Sequence, residues 1–200
     1  MSLTVGILLF PDVEVLDFAG PYEVFSVASR VAIKVLGFDS PPFRVVTIAE
    51  GHEPLAARHG LRIAPDHGFM DAPATDILIV PGGIVTEPMS NLSTLAWLKR
   101  ESARATLTAS VCTGAFILGS IGILDGLKAI THWEDIDEMR RMFPKIAVVE
   151  GLPYVDEGAV VTSAGISAGI SMSLHLVERM IGPQLAQLTA RQMQYDWSPA

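Results

Sequence analysis

The sequence predicts an α/β fold in which helices cover both faces of a mostly parallel sheet. Apolar runs typical of strands buried on both faces alternate along the chain with segments of helical periodicity. Such alternation predicts βα units, whose right-handed connections make neighbouring strands parallel. The 200 residues are 50% hydrophobic, with a mean hydropathy of +0.40, which indicates a well-filled core. We therefore expect one domain over residues 1–200.

Strands are predicted where an apolar run ends at a turn residue. Pro11 closes the first run, and Pro81 follows the third. Residues 51–65 are interrupted by Pro, Gly and His and predict a hairpin. The predicted strands are residues 4–10, 43–49, 77–80, 106–111, 128–131, 146–149 and 154–163, the last interrupted by a turn.

Helices are predicted where apolar residues recur with the helical period. Pro21 is expected in the first turn of the first helix, where its missing N–H is tolerated. Acidic residues at the start of the fourth helix suit the positive end of its dipole and are expected to be solvated. Gly182 and Pro183 end the fifth helix. The predicted helices are residues 22–30, 92–103, 113–121, 133–142, 168–181 and 184–193.

Cys112, the one cysteine in the sequence, lies where a predicted strand runs directly into a predicted helix. The chain must turn sharply there. The small residues Ser110 and Gly114 permit such a turn, as in the G-x-S-x-G turn of serine hydrolases, where the central residue is strained and exposed. N–H groups at a helix N-terminus also favour thiolate over thiol. Cys112 is therefore a candidate nucleophile, the alternative being a buried cysteine that serves only packing.

Two further features follow predicted strands at the same edge of the sheet. Asp17 comes after the first strand, and Pro81-Gly82-Gly83 comes after the third. Ligands of parallel α/β sheets bind beyond the carboxyl ends of the strands, where Cys112 also lies. We expect these features to meet in one pocket.

Composition disfavours several classes of function. A formal net charge of -8 with interspersed acids and bases disfavours nucleic acid as a partner. One cysteine permits no internal disulfide, and no apolar run is long enough to span a bilayer, so we expect a cytoplasmic protein without a membrane partner. Neither a dinucleotide fingerprint nor a Walker pattern occurs, and the histidines at 52, 59 and 67 lack metal-ligand spacing. We therefore expect no cofactor and no metal.

Five segments together resemble the ThiJ/PfpI (DJ-one) superfamily. They run in order over nearly the whole chain and comprise residues 6–25, 80–83, 111–115, 131–133 and 162–170. The sequence is most similar to the isocyanide hydratase branch and to the ligand-binding domains of AraC-type regulators. The resemblance implies a flavodoxin-like, class-I glutamine-amidotransferase-like fold and a homodimer.

The resemblance assigns roles to five positions. Cys112 matches the nucleophile, and Asp17 matches the acid that contacts its sulfur. Gly83 and Thr113 match the residues whose backbone N–H groups form an oxyanion-hole-like site, where fixed donors stabilise developing negative charge. His132 matches a histidine that approaches the cysteine in several members of the superfamily. A carboxyl group facing a thiol in an enclosed site should have a raised pKa and could donate a proton.

Alternatives stay open for the acid and for the histidine. Asp17 also suits a helix N-cap, and Glu23, one turn along the following helix, could replace it as the acid. His132 equally suits a cap or a surface position before the next helix. Ser171 stands where members of this branch commonly have Asp. His175 is expected to be a core or interface residue whose ring nitrogens have hydrogen-bond partners.

The resemblance implies a cofactor-independent cysteine enzyme, a lyase that acts on a small electrophilic molecule. Cys112 would add to the carbon of an isocyanide to form a thioimidate, Asp17 would relay the proton, and water would release an N-substituted formamide. Thr113 stands where protease-like members have the histidine of a Cys-His pair, which disfavours protease or amidase activity. The alternatives are a ligand-sensing protein, an oxidative-stress-response protein with an oxidised Cys112, and a glyoxalase-like or deglycase-like enzyme.

Overall fold

Eleven strands lie within residues 2–198, the part of the chain described by the structure, a computed structural model. They are β1 (Leu3–Leu8), β2 (Phe43–Ala49), β3 (Leu55–Ala56), β4 (Arg62–Ile63), β5 (His67–Gly68), β6 (Ile77–Val80), β7 (Leu107–Val111), β8 (Lys128–Ala129), β9 (Ala147–Val148), β10 (Tyr154–Asp156) and β11 (Val160–Ser163).

Six α-helices and two short 3-10 turns connect these strands within the same residues. The helices are α1 (Val15–Leu36), α2 (Leu92–Ser102), α3 (Gly114–Ser120), α4 (Ile136–Met142), α5 (Ala168–Met180) and α6 (Pro183–Gln192), and the 3-10 turns are Arg58–Gly60 and Trp133–Asp135. No helix in the described part of the chain is long and apolar enough to cross a membrane.

Seven of the strands described form one sheet in the order β10-β11-β7-β6-β1-β2-β5. Every neighbouring pair in this sheet is parallel except β10 and β11. All residues of β6 and β7 are buried, so both faces of the sheet are covered at its centre. Helices α1, α5 and α6 pack on one another, and α3 packs on β6 and β7. The predicted α/β fold with a mostly parallel sheet is confirmed.

The first helix differs most from its prediction. It begins at Val15 rather than at residue 22, so Pro21 lies in its interior. Because proline has no N–H, the helix lacks the hydrogen bond that residue 21 would donate to the carbonyl of Asp17. Burial of apolar side chains on this helix offsets the loss, since Phe18, Val24 and Phe25 are enclosed by the core. Proline alone was therefore a poor marker of where the helix begins.

Smaller differences concern short elements. Residues 133–142, predicted as one helix, form a 3-10 turn followed by α4. Strand β5 was not predicted, because two residues that pair with the end of β2 leave no periodic pattern. The predicted hairpin in residues 51–65 is confirmed by the antiparallel pairing of β3 with β4.

Candidate active site

Cys112 occupies the turn between β7 and α3. Its φ of 57° lies in the left-handed region that non-glycine residues rarely adopt, which confirms the sharp turn predicted there. Neighbouring segments hold this conformation: the Cys112 N–H donates to the Ser163 carbonyl over 3.2 Å, and the Thr131 hydroxyl donates to the Cys112 carbonyl over 2.9 Å. The side chain is buried rather than exposed, with 7% of the residue accessible. The strained conformation and the enclosed thiol occur together, as they do at many functional sites.

Two glycines allow the chain to pass close to this turn. A Cβ at Gly114 would overlap the carbonyl oxygen of Val80, at the end of the neighbouring strand β6. A Cβ at Gly82 would lie 2.6 Å from the Thr113 nitrogen and 2.9 Å from Asp17 Oδ2. These positions therefore require glycine so that the turn after β6 can reach the turn after β7.

Asp17 is the third residue of α1 and is completely buried. Glu14 occupies the N-cap position, so Asp17 is not the cap. Its Oδ2 accepts a hydrogen bond from the Gly82 N–H over 3.0 Å, whereas its Oδ1 has no hydrogen-bond partner among residues 2–198. Glu23 is exposed and forms an ion pair with Arg30 over 3.2 Å, which excludes it as a replacement for Asp17 in this structure.

Burial controls the protonation of Asp17. It raises the pKa of the carboxyl group to about 7, although the Gly82 N–H opposes part of the shift, and the negative charge of Glu14 adds to it. The Cys112 thiol also interacts with this carboxyl group, and this interaction lowers the Asp17 pKa. The raised pKa expected from the sequence is confirmed, and Asp17 exchanges its proton near neutral pH.

The Cys112 thiol is harder to ionise than the sequence suggested. Burial raises its pKa to about 12, and the negative charge of Asp17 contributes to the increase. The backbone N–H groups of Thr113 and Ile166 interact with the sulfur and lower the pKa by less than this. The expectation that a helix N-terminus would make Cys112 a thiolate is therefore wrong for the resting protein, in which the thiol keeps its proton at neutral pH.

One of the two expected amide donors, the Gly83 N–H, already has a hydrogen-bond partner in the structure. The Gly83 N–H donates to Thr113 Oγ1 over 3.0 Å, and the Thr113 hydroxyl donates back to the Gly83 carbonyl over 3.1 Å. The Gly83 N–H is thus engaged by a side chain, and the two amides that face the sulfur belong to Thr113 and Ile166. Ile166 rather than Gly83 therefore accompanies Thr113 at the sulfur, and the role of the Gly83 N–H toward a bound molecule stays a prediction.

Ile166 is a residue at the Cys112 sulfur that the sequence reasoning missed. It lies in the loop after β11, the strand beside β7, and its φ of 48° presents its backbone in an unusual conformation. A backbone N–H leaves no side-chain signature, so composition and spacing did not reveal it. Ile166 could have been found from its place after a predicted strand, since the carboxyl end of β11 lies at the same edge of the sheet as Cys112.

His132 occupies a capping position next to the site. Its Nδ1 accepts a hydrogen bond of 3.4 Å from the Glu134 N–H and lies 3.5 Å from Asp135 Oδ2. The ring also packs so closely over Gly165 that a Cβ there would overlap His132 Cδ2. No hydrogen bond joins His132 to Cys112 in the residues described. Of the two alternatives for His132, the capping one agrees with this geometry.

Two polar residues on α5, Ser171 and His175, have hydrogen-bond partners outside the site. Ser171 Oγ lies 2.9 Å from the Tyr195 hydroxyl, so the serine that replaces the family's usual Asp makes a neutral hydrogen bond. His175 Nε2 lies 2.7 Å from Asp156 Oδ2, as expected for a satisfied histidine. Neither residue belongs to the site around Cys112.

Two of the three loop histidines, which lack metal-ligand spacing in the sequence, meet at one acid. His52 Nε2 lies 3.0 Å from Asp71 Oδ1, and His67 Nδ1 lies 3.4 Å from Asp71 Oδ2. Over residues 2–198, no group of three or more His, Cys, Asp or Glu side chains is arranged to hold a metal ion.

Two cavities adjoin the buried pair of Cys112 and Asp17. One has a volume of about 400 Å³ and is reached past Gly83 and Thr113. The other has a volume of about 630 Å³, and its lining includes His132 and Ile166. Neither lining includes Cys112 or Asp17 themselves, but Thr113 lines the first cavity and Thr131 and Ile166 line the second, so both cavities lie next to the turn at Cys112. The arrangement offers a thiol, a carboxyl group that exchanges its proton near neutral pH, and two amide donors at the sulfur.

Comparisons with known proteins agree with this arrangement. The sequence profile of the DJ-1/PfpI family matches residues 3–179. The isonitrile hydratase of Pseudomonas putida is 34% identical over 201 aligned positions, which cover 100% of this chain and 81% of that protein. The HTH-type transcriptional regulator GbdR of Pseudomonas aeruginosa is 28% identical over 193 positions, which cover 96% of this chain and 51% of the regulator.

A solved structure shows the same architecture. The crystal structure of a ThiJ/PfpI family protein from Pseudomonas syringae matches with a TM-score of 0.86 at 27% identity. The match covers 100% of this chain and 77% of that one.

Proposed function

Because this chain belongs to the DJ-1/PfpI family, we propose that it is a cofactor-independent cysteine enzyme that hydrates an isonitrile to an N-substituted formamide. The observation that supports this most directly is the interaction between the Cys112 thiol and the buried Asp17 carboxyl group. A nucleophile and a group able to move its proton are thereby placed together. The similarity to isonitrile hydratase over the whole chain supports the choice of electrophile.

In the first step the Cys112 sulfur bonds to the isonitrile carbon. The Asp17 carboxylate accepts the thiol proton as the S–H bond breaks and the S–C bond forms. Asp17 then donates the same proton to that carbon, which leaves a thioformimidate with a C=N bond. Since the pKa of Asp17 is about 7, it can act as base and then as acid at neutral pH.

In the second step water adds across the C=N bond. Its oxygen bonds to carbon, and Asp17 transfers a water proton to the nitrogen, which gives a tetrahedral intermediate. The C–S bond then breaks, the hydroxyl proton moves to the sulfur through Asp17, and the formamide leaves. The N–H groups of Thr113 and Ile166 stabilise the negative charge that develops on sulfur as this bond breaks.

Formamide production from an isonitrile tests the proposal. The purified protein is given an alkyl or aryl isonitrile beside Cys112→Ala and Asp17→Asn, with Glu23→Gln as the control for loss of an exposed carboxylate on the same helix. We expect turnover in the wild-type protein and in Glu23→Gln only. A wild-type rate no higher than that of Cys112→Ala would exclude the hydratase, and lactate formed from methylglyoxal would assign the protein to the glyoxalase-like alternative.

A ligand-sensing role is the second candidate. It is supported by the similarity to GbdR, since the aligned region covers 96% of this chain but only about half of the regulator. A sensing domain would bind its ligand without converting it. Isonitrile binding without formamide production, equal in the wild-type protein and in Cys112→Ala, would favour this role.

Three expectations from the sequence stay predictions: a single domain, a homodimer and a cytoplasmic location. We propose the homodimer on the resemblance to the family. Sedimentation velocity tests it, because two chains of 21.5 kDa sediment clearly faster than one.

A further inference from the structure

The cavity of about 400 Å³ beside Gly83 and Thr113 has mostly apolar walls. They are formed by Ile84, Val85, Met89, Phe116 and Met142. A concave space of this size with apolar walls and a few polar groups is typical of sites that hold a small organic molecule.

Residues next to the reactive pair line this cavity. Thr113 follows Cys112 directly, and its hydroxyl bonds to Gly83. Gly83 in turn follows Gly82, whose N–H holds the Asp17 carboxyl group. Asp17 Oδ1 is buried without a hydrogen-bond partner in the described residues, which indicates a place for a polar atom of a bound molecule. This cavity is therefore the space beside the reactive pair into which the substituent of a molecule bound at Cys112 would extend.

The charged groups that line this cavity all have the same sign. Asp135 and Glu138 line it, and the lining contains no Lys, Arg or His among the residues described. Asp135 lies 3.5 Å from His132 Nδ1, and Glu138 forms an ion pair of 3.2 Å with Arg141 at the surface. The Arg141 side chain is 76% exposed and that of Glu138 51%, so solvent weakens this pair and Arg141 neutralises the charge of Glu138 only in part.

The environment of Asp135 also disfavours its negative charge. Burial raises its pKa, His132 lowers it, and the neighbouring carboxylates of Glu138 and Glu134 raise it further. A positively charged group in the cavity would relieve this repulsion. A negatively charged group would increase it.

We propose that this cavity is a substrate subsite that holds an apolar substituent ending in a cationic group, so that the enzyme prefers isonitriles with an ammonium group over neutral or anionic ones of the same length. The apolar walls hold the chain of the substituent, and Asp135 and Glu138 attract its charge. This inference rests on the proposed function for its choice of reactive group.

Binding of formamides, the products of the proposed reaction, tests the subsite without turnover. The probes are N-(6-ammoniohexyl)formamide, N-heptylformamide and N-(5-carboxypentyl)formamide, measured by calorimetry at pH 7.5 and low salt. We expect the ammonium probe to bind about tenfold more tightly than the neutral one, and the carboxylate probe to bind more weakly than both. Equal binding of the three probes, or tighter binding of the anion, would overturn the proposal.

Charge-neutralising variants locate the effect. Asp135→Asn and Glu138→Gln should each reduce the preference for the ammonium probe to about threefold or less, with binding of the neutral probe unchanged. Asp137→Asn is the matched control, because Asp137 is 95% exposed and does not line the cavity. A preference that falls equally in Asp137→Asn would show a general surface effect and reject the subsite. Thermal melting of each variant shows whether it is folded, and either cavity variant suffices for the test.

Turnover separates this inference from the proposed function. If no isonitrile is hydrated but the ammonium probe binds preferentially, the hydratase fails and the cationic subsite stands. If isonitriles are hydrated without regard to charge, with equal binding of the probes, the subsite fails and the hydratase stands.

Discussion

The Gly82 N–H donates to Asp17 Oδ2 over 3.0 Å, which joins the turn after β6 to the first turn of α1. The bond satisfies one carboxyl oxygen and leaves Oδ1 available to the space around Cys112. A carboxyl group that is buried but only partly satisfied titrates near neutral pH, and two of the predictions below follow from this.

The rate of isonitrile hydration should depend on the ionisation of Asp17. If Asp17 accepts the thiol proton, kcat/KM falls about tenfold for each pH unit below about 7 and reaches a plateau above it. Ionisation of the Cys112 thiol causes no further change of kcat/KM with pH between pH 5 and pH 9, because the pKa of the thiol is about 12. Initial rates from pH 5 to pH 9 measure this profile. A flat profile over that range would exclude Asp17 as the base.

Protein stability should fall as pH rises, because of the same group. The folded-state pKa of Asp17 is about 7 and its ordinary value is 3.8, so the folded state binds more protons between these values. The stabilisation from proton binding is therefore complete below pH 3.8 and is lost as the pH rises through 7. Between pH 5 and pH 8 we expect the wild-type protein to lose about 2–3 kcal/mol relative to Asp17→Asn. Urea denaturation at the two pH values measures the difference, and a constant difference would contradict the prediction.

Gly82→Ala should disrupt the site, because the added methyl group would displace the backbone at Thr113. The added methyl group would lie 2.6 Å from both the nitrogen and Oγ1 of Thr113, neither of which can move without shifting the turn at Cys112. We expect a loss of about 1–3 kcal/mol in unfolding free energy and a loss of hydration activity. Gly51→Ala is the matched control, since a Cβ there meets nothing within 4 Å. Equal effects of the two substitutions on stability would show that the close approach at Gly82 does not matter.

Thr113→Val should test the hydrogen bonds between Thr113 and Gly83. Valine has nearly the same shape but leaves both the N–H and the carbonyl of Gly83 without this partner. We expect a loss of about 1–3 kcal/mol in unfolding free energy, whereas Thr113→Ser should retain the bonds and most of the stability. Chemical denaturation of the two variants checks this. A serine variant as unstable as the valine variant would mean that the Thr113 methyl group, not its hydroxyl, stabilises the turn.

Much of the fold and the meeting of the site residues follow from local patterns. The apolar runs that became β1, β6 and β7 were long enough to be recognised as buried strands, and parallel strands place their carboxyl ends at one edge. This is why the sequence alone predicts that Asp17, the turn at residues 81–83 and Cys112 lie in one place.

The remaining features depend on tertiary packing, which one sequence does not display. The pKa of Cys112 is set by burial and by Asp17, and these outweigh the N–H groups that the local motif predicted would dominate. The second donor, Ile166, acts through its backbone, and the Gly83 N–H is taken by a hydroxyl 30 residues away in the chain. The start of α1 was missed because burial of its first turns tolerates a proline inside the helix.

Because Cys112 is buried, its reactivity can be used to measure local opening of the structure around it. Cys112 is the single cysteine in the sequence, so any thiol-reactive label attaches at one known place. A reagent too large for the enclosed turn can react only when β7, α3 or the loop that contains Ile166 moves away from Cys112. The rate of labelling then measures the free energy of that local opening. Labelling rates followed across denaturant concentrations would distinguish opening of this edge of the sheet from unfolding of the whole chain.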